Sequence, residues 1–180
     1  MTRPPKAREK ALRAYARLLH TDGERSATVD AVAERAGVSK GGVLYHFPSK
    51  DALGEGLIEL FTEAVAADTA RMADDPDGPA RHYLRTSWET DHELDELYGA
   101  VLRLAQASWQ PAVEALEATH AGWMALIRKD VGDRHAAEAI MLIGEGLYHQ
   151  SLMPGTWSRE LFRDSLDHLL DLVDRLKENR

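Results

Sequence analysis

The stretch TVDAVAERAGVSKGGVLYHFPSKDAL, Thr28 to Leu53, decides the fold of this 180-residue chain. Thr28 has the character of an N-cap, and Asp30 two residues on supplies negative charge in the first turn, where the helix dipole favours it. Val29, Val32, Ala33 and Ala36 recur at helical spacing and make one apolar stripe. The two alanines let a neighbouring helix come close, and Gly37 permits the positive φ that turns the chain sharply. Ser39 then caps a second short helix, in which Val43 and Phe47, four apart, face a core. Pro48 ends it, and Ser49 caps a long helix that follows. About two turns of helix, a short Gly-containing turn and another short helix at a steep angle make a helix-turn-helix.

A helix as short as the second one is not stable alone and must be held by one face. Val43 and Phe47 supply that face, with Leu44 at its edge, and the reading places Gly41, Gly42, Tyr45 and His46 opposite. In a DNA major groove Lys40 is placed to reach base edges or phosphate, and the glycines admit close backbone approach. The Tyr45 hydroxyl and the His46 ring suit phosphate oxygens. Lys50, in the first turn of the long helix, adds a cation beside backbone N–H groups that already favour anions. The candidate DNA contacts are therefore Thr28, Ser39, Lys40, Gly41, Gly42, Tyr45, His46 and Lys50. Taken singly, each is equally well read as a solvated or capping residue; their joint spacing is what points to DNA.

Charge points the same way. The chain carries a net −8, yet residues 1–50 hold ten Lys and Arg against five acids, net +5, and the remainder holds 12 against 25, net −13. The basic head is the candidate for a polyanion, and the acidic remainder argues against a protein that packs DNA without regard to sequence. There is no cysteine, which excludes a disulfide framework, thiolate metal sites and a cysteine nucleophile. No 18-residue apolar run is present, so no membrane span is expected, and the basic N-terminus is too charged for a signal-peptide core. A cytoplasmic protein is expected.

The rest of the chain reads as helix, with no sustained alternation of period two. Helices are expected over 6–20, 50–72, 80–90, 93–108, 111–129, 134–152 and 159–177, separated by Asp22-Gly23, the run DDPDGP at 74–79, Gln110-Pro111, Val131-Gly132-Asp133 and Met153-Pro154-Gly155. With the two short helices this makes an all-α chain of about nine.

Thr28 to Leu53, with the helix before it, resembles the tetracycline-repressor (TetR) family of transcriptional regulators. The resemblance rests on the Thr cap, Ala-Glu-Arg-Ala-Gly-Val-Ser, the His-Phe pair and the Ser-Lys before a long helix. It implies a three-helix DNA-binding domain, residues 1–49, and a larger ligand-binding and dimerisation bundle, residues 50–180. It also implies a homodimer formed through the last two helices, a palindromic double-stranded operator and release by a small molecule as helix four shifts. Two residues depart from the pattern: Leu44 stands where many members have tyrosine, and Gly42 where many have threonine or another polar residue. Both thin out base readout, and Leu44 offers an apolar surface suited to a thymine methyl.

The acidic region carries no motif of its own. Trp88, Trp109 and Trp123, with Tyr98, Met124 and Met141, are candidates to line a ligand pocket, or are plain core. Glu145 lies in an otherwise apolar helix, where a carboxylate is costly unless paired. An i, i+4 pair with His149 is one answer; a cationic ligand, or a polar contact at a subunit interface, is another. Gly144 and Gly146 would let a partner helix approach, and Leu161, Leu166, Leu169, Leu170, Val173 and Leu176 form a broad apolar stripe on the last helix. Eight histidines are scattered without metal-ligand spacing, so no metal and no cofactor are expected. An enzyme would have to use Glu145, His149 and the acids near Asp91, without a nucleophile or phosphate loop, and none is expected. The reading is a ligand-responsive regulator, most simply a repressor; a ligand-insensitive regulator or an activator on the same scaffold is the alternative.

Overall fold

The computed structural model describes residues 6–89, 93–151 and 165–178. Among the described residues every regular element is a helix: α1 (Lys6–Asp22), α2 (Val29–Ala36), α3 (Lys40–His46), α4 (Lys50–Ala73), α5 (Pro79–Trp88), α6 (Glu93–Gln106), α7 (Gln110–Val131), α8 (Arg134–Ser151) and α9 (Ser165–Glu178). The all-α class is as the sequence predicts, and nine helices lie among the described residues, where about nine were expected. Helix ends shift by small amounts for local reasons. α1 runs on to Asp22 before Gly23 turns the chain at φ 81. α5 begins on Pro79, a position whose missing N–H has no intrahelical partner to lose. The break at Met153-Pro154-Gly155, Trp157, Leu161 and the start of the expected last helix lie outside the described residues, as does Asp91.

The chain forms two compact units, Met1–Val65 with His92–Ala118, and Ala66–Asp91 with Thr119–Arg180. Helices α4 and α7 each supply residues to both. In the first unit α1 packs against α2, α3 and α6. Its buried face carries Leu12, Tyr15 and Leu19, which join Val32, Val43, Phe47, Leu53 and Leu57 in one apolar core. Burying large apolar side chains of this kind contributes about 1.5–3 kcal/mol each. This core makes two helices of eight and seven residues stable where neither would be alone.

In the second unit α5 packs on α8 and α9. Met72, Leu84, Ile127, Ile140 and Val173 are buried there. The N-terminus of α5 has no side-chain cap of its own; the Ala80 N–H donates to Asp130 Oδ2 of α7 at 3.0 Å, and Lys177 of α9 meets the same carboxylate at 2.8 Å. Close by in the same unit lies a polar cluster. His82 Nδ1 is 2.8 Å from Asp75 Oδ2, and its Nε2 is 3.8 Å from Asp68 Oδ1. Arg85 reaches both Asp75 oxygens, at 3.0 and 2.9 Å, and Arg71 reaches Asp68 at 3.0 Å. Asp68 and Asp75 hold the His82 imidazole above its ordinary pKa, against the lowering effect of burial. Burial alone would raise both carboxyls, but His82 with Arg71 at Asp68, and His82, the Asp77 N–H and Arg85 at Asp75, hold them below the usual range.

Candidate nucleic-acid interface and effector site

The helix-turn-helix is built by the local chemistry read from the sequence. The Thr28 side chain accepts from the Ala31 N–H at 3.2 Å and the Ser39 Oγ from the Gly42 N–H at 3.0 Å. Gly37 sits at φ 65 and ψ 38, and its N–H and that of Val38 close on the last carbonyls of α2. Val43 and Phe47 are buried under α1, and Phe47 carries the Arg8 guanidinium over its ring at 5.5 Å.

The open face of α3 differs from the expected one. At 100° per residue Gly41 and Tyr45 lie opposite the Val43/Phe47 face, with Lys40 and Leu44 on one flank and Gly42 and His46 on the other. The second flank is covered: Gly42 is buried and its N–H is committed to the Ser39 cap. His46 is half-buried, and its Nε2 is buried with no hydrogen-bond partner. Tyr45 is 77% exposed and Leu44 38% exposed, so the open face is Lys40, Gly41, Leu44 and Tyr45. Gly42 therefore does not join it, and His46 joins it through at most one ring nitrogen.

The lysines are placed near that face but are engaged. Lys40 Nζ lies 2.9 Å from Asp30 Oδ2, and Lys50 Nζ donates to the Glu24 carboxylate at 2.5 Å and to the Glu24 main-chain oxygen at 3.0 Å. Arg35 meets Asp22 at 3.0 Å. Arg25, in the loop between α1 and α2, is exposed and forms no ion pair among the described residues. Its charge is part of the +5 excess, but no motif marks it.

The expected pocket residues fall in both units. Tyr98 and Trp109 belong to the first, where Tyr98 is buried 6.3 Å from the Phe61 ring and Trp109 lies across Gly54 of α4. Trp88, Trp123, Met124, Met141, Glu145 and His149 belong to the second. There Trp123 and Met141 are buried, Trp88 and Met124 half-buried, and His149 exposed. Glu145 is not paired with His149. Its Oε1 accepts from the Tyr83 hydroxyl at 3.2 Å and lies 3.4 Å from His120 Nε2. The Tyr83 and His120 rings flank Trp123 at 5.7 and 5.8 Å. The structure thus brings Trp123 and Glu145 together, with Met141 beside them through the Tyr83 contact to its carbonyl, and adds Tyr83 and His120, which sequence periodicity does not single out. A half-exposed carboxylate that accepts from the Tyr83 hydroxyl, with an imidazole 3.4 Å away and aromatic faces beside it, suits a cation. Gly144, expected to admit a partner helix, is filled from within the chain by Tyr83, whereas Gly146 has open space beside it.

Among the described residues no group of His, Asp and Glu is placed to hold a metal ion, and no helix is long and apolar enough to cross a membrane.

The family of bacterial regulatory proteins, tetR family, matches residues 11–57 of the chain. The nucleoid occlusion factor SlmA of Vibrio atlanticus (strain LGP32) is 39% identical over 75 residues, 41% of this chain; the chain thus spans 38% of the length of that curated relative. Likeness to solved structures extends over the whole fold. A transcriptional regulator of Rhodococcus sp. Rha1 is matched with a TM-score of 0.70 and 21% identity, over 96% of both chains. The multidrug binding protein EbrR, solved in complex with malachite green, is matched with a TM-score of 0.63 and 24% identity, over 96% of this chain and 98% of its own.

Proposed function

We propose, for a chain that belongs to the tetR family of bacterial regulatory proteins through residues 11–57 and shares the all-α fold of its solved relatives, the function of a ligand-responsive transcriptional repressor in the cytoplasm. The observation that carries this reading is α3: a short helix capped by Ser39, anchored by Val43 and Phe47, and presenting Lys40, Gly41, Leu44 and Tyr45 outward. Such a face reads base edges in a major groove while Thr28, Tyr45 and nearby cations hold phosphates. One reading head sees only a few base pairs. A homodimer that places two heads on half-sites about 34–36 Å apart, or a multiple, supplies the rest.

The last two helices are the proposed dimer face. Leu142 on α8 is 73% exposed, and Gly146, one turn on, has open space beside it. An exposed leucine beside an uncovered glycine is suited to a second copy of the helix. The proposed effector site is the Tyr83, His120, Trp123 and Glu145 group of the second unit, suited to a positively charged aromatic compound. EbrR, a multidrug binding protein of the same fold, supports a small-molecule role for the chain. Ligand and operator then oppose each other through one coupling free energy, transmitted along α4, which supplies residues to both units. SlmA covers too little of the chain for a role in nucleoid occlusion to follow from it.

Selection of random duplex DNA on the purified chain, read by sequencing, tests the proposal. An enriched palindrome with two half-sites is expected, and its release by a small molecule would complete the reading. A folded protein that enriches no motif would overturn sequence-specific regulation. An operator that no compound releases would leave a ligand-insensitive regulator, and an operator whose occupancy raises transcription an activator.

A further inference from the structure

The two lysines closest to the reading helix are each the first residue of their helix, Lys40 of α3 and Lys50 of α4. A cation at a helix N-terminus opposes the dipole. Here each is matched by a carboxylate: Asp30, in the first turn of α2, for Lys40, and Glu24, in the segment that leads into α2, for Lys50. Asp30 holds Lys40, and Glu24 holds Lys50 through its carboxylate while its main-chain oxygen takes a second hydrogen bond. Both pairs are partly exposed, with side-chain exposures of 56% and 71% for the first and 39% and 38% for the second. Exposed ion pairs are weak, so a phosphate displaces the carboxylate at little cost. Once the lysine has moved, however, the abandoned carboxylate stands beside the phosphates without its cation.

We infer that Glu24 and Asp30 are positioning residues that screen this protein's own DNA-binding lysines, so that binding exchanges each carboxylate for a DNA phosphate. The inference rests on the DNA-reading function proposed above. The pairs hold Lys40 and Lys50 ordered without DNA and neutralise two charges that would otherwise attract any duplex. Each screened lysine thereby adds less to salt-dependent, sequence-independent affinity than a free one. Arg25, unpaired among the described residues, remains available for the first electrostatic encounter.

The test is a set of isosteric variants of the full chain, Glu24→Gln and Asp30→Asn, titrated with random-sequence duplex and with the selected operator from low to moderate salt. Each amide keeps a hydrogen-bond acceptor and removes only charge. Each variant is expected to bind random duplex roughly two- to fivefold more tightly, with a salt slope steeper by up to about 0.9. The gain from Glu24→Gln is expected to vanish when Lys50→Gln is also present, and that from Asp30→Asn when Lys40→Gln is present. Glu34→Gln, the same charge change on α2 at a residue that holds no cation among the described residues, is the control and is expected to gain less. A merely structural Glu24 would lower affinity or leave the salt slope unchanged, and either result overturns the inference. A gain that survives loss of the lysine also overturns it, because the acid would then act through the general field. A wild-type chain that binds no duplex at low salt overturns the DNA-reading function itself; a wild-type chain that binds while the variants show no gain overturns only the screening.

Discussion

Trp109 lies across Gly54, so that a β-carbon on Gly54 would come within 2.7 Å of the indole Cη2. The indole is a rigid ring, and it is set by the turn before α7, where Ser108 takes a left-handed φ of 62 and the Trp109 N–H donates to the Leu104 carbonyl at 3.1 Å. Neither the ring nor the backbone of α4 yields cheaply. Gly54→Ala is expected to destabilise the chain by about 1–3 kcal/mol, the usual cost of overpacking. Urea unfolding measures this, and the emission of Trp109 should shift even below the transition. A variant as stable as wild type would mean that the indole moves aside freely.

How far the sequence reaches is clear from which contacts are local. The caps of Thr28 and Ser39 span three residues and were legible, as were Gly37, the Val43/Phe47 anchor and, among the described residues, the breaks between helices. The open face of α3 was legible only in part. Periodicity separates Tyr45 from Phe47, but whether Gly42 and His46 are covered depends on where the neighbouring helices lie. The partners of Lys40 and Lys50 stand ten and 26 residues back in the chain, and that of Tyr83 is 62 residues on. Spacing along one helix suggested a Glu145–His149 pair; the fold offered Tyr83 and His120 instead. Tyr98 and Trp109 have the same aromatic character as Trp123, and composition alone has no means of assigning them to a different unit.

Leu44 and Tyr45 sit side by side on the open face and should separate readout from anchoring. Tyr45→Phe removes one hydroxyl and is expected to weaken binding to all duplexes by about threefold to tenfold, the worth of about one hydrogen bond. Leu44→Ala removes apolar surface suited to a thymine methyl and is expected to change preference among operator variants with the salt slope unaltered. Competition binding against a panel of single-base operator variants distinguishes the two. Equal losses on every sequence for Leu44→Ala would show that it reads no base.

Glu145 accepts from Tyr83 and stands beside His120, and the rings of both flank Trp123. Glu145→Gln keeps the acceptor for the tyrosine but loses the charge, so the fold should hold. If the site takes cations, a cationic aromatic dye should bind this variant about tenfold more weakly, while a neutral dye of the same shape binds both forms alike. Fluorescence titration reads both. Equal weakening for the neutral dye would mean that shape, not charge, selects the effector.

His82 lies between Asp68 and Asp75, and its raised pKa has a direct consequence for stability. The folded chain binds the imidazole proton more tightly than the unfolded chain, so this contribution is complete below the ordinary value of 6.5 and is lost as pH rises through the raised folded value. Asp68 and Asp75 act in the opposite sense: held below their ordinary 3.8, they contribute fully above it and fade as the solution becomes more acidic. Urea midpoints are therefore expected to be level at mildly acidic pH and to fall as the solution passes above 6.5. His82→Gln should lose about 1.5–3 kcal/mol at mildly acidic pH, the range for hydrogen bonds to charged groups, and should flatten the decline on the alkaline side. A His82→Gln profile that runs parallel to wild type across the whole range would assign the decline to another group.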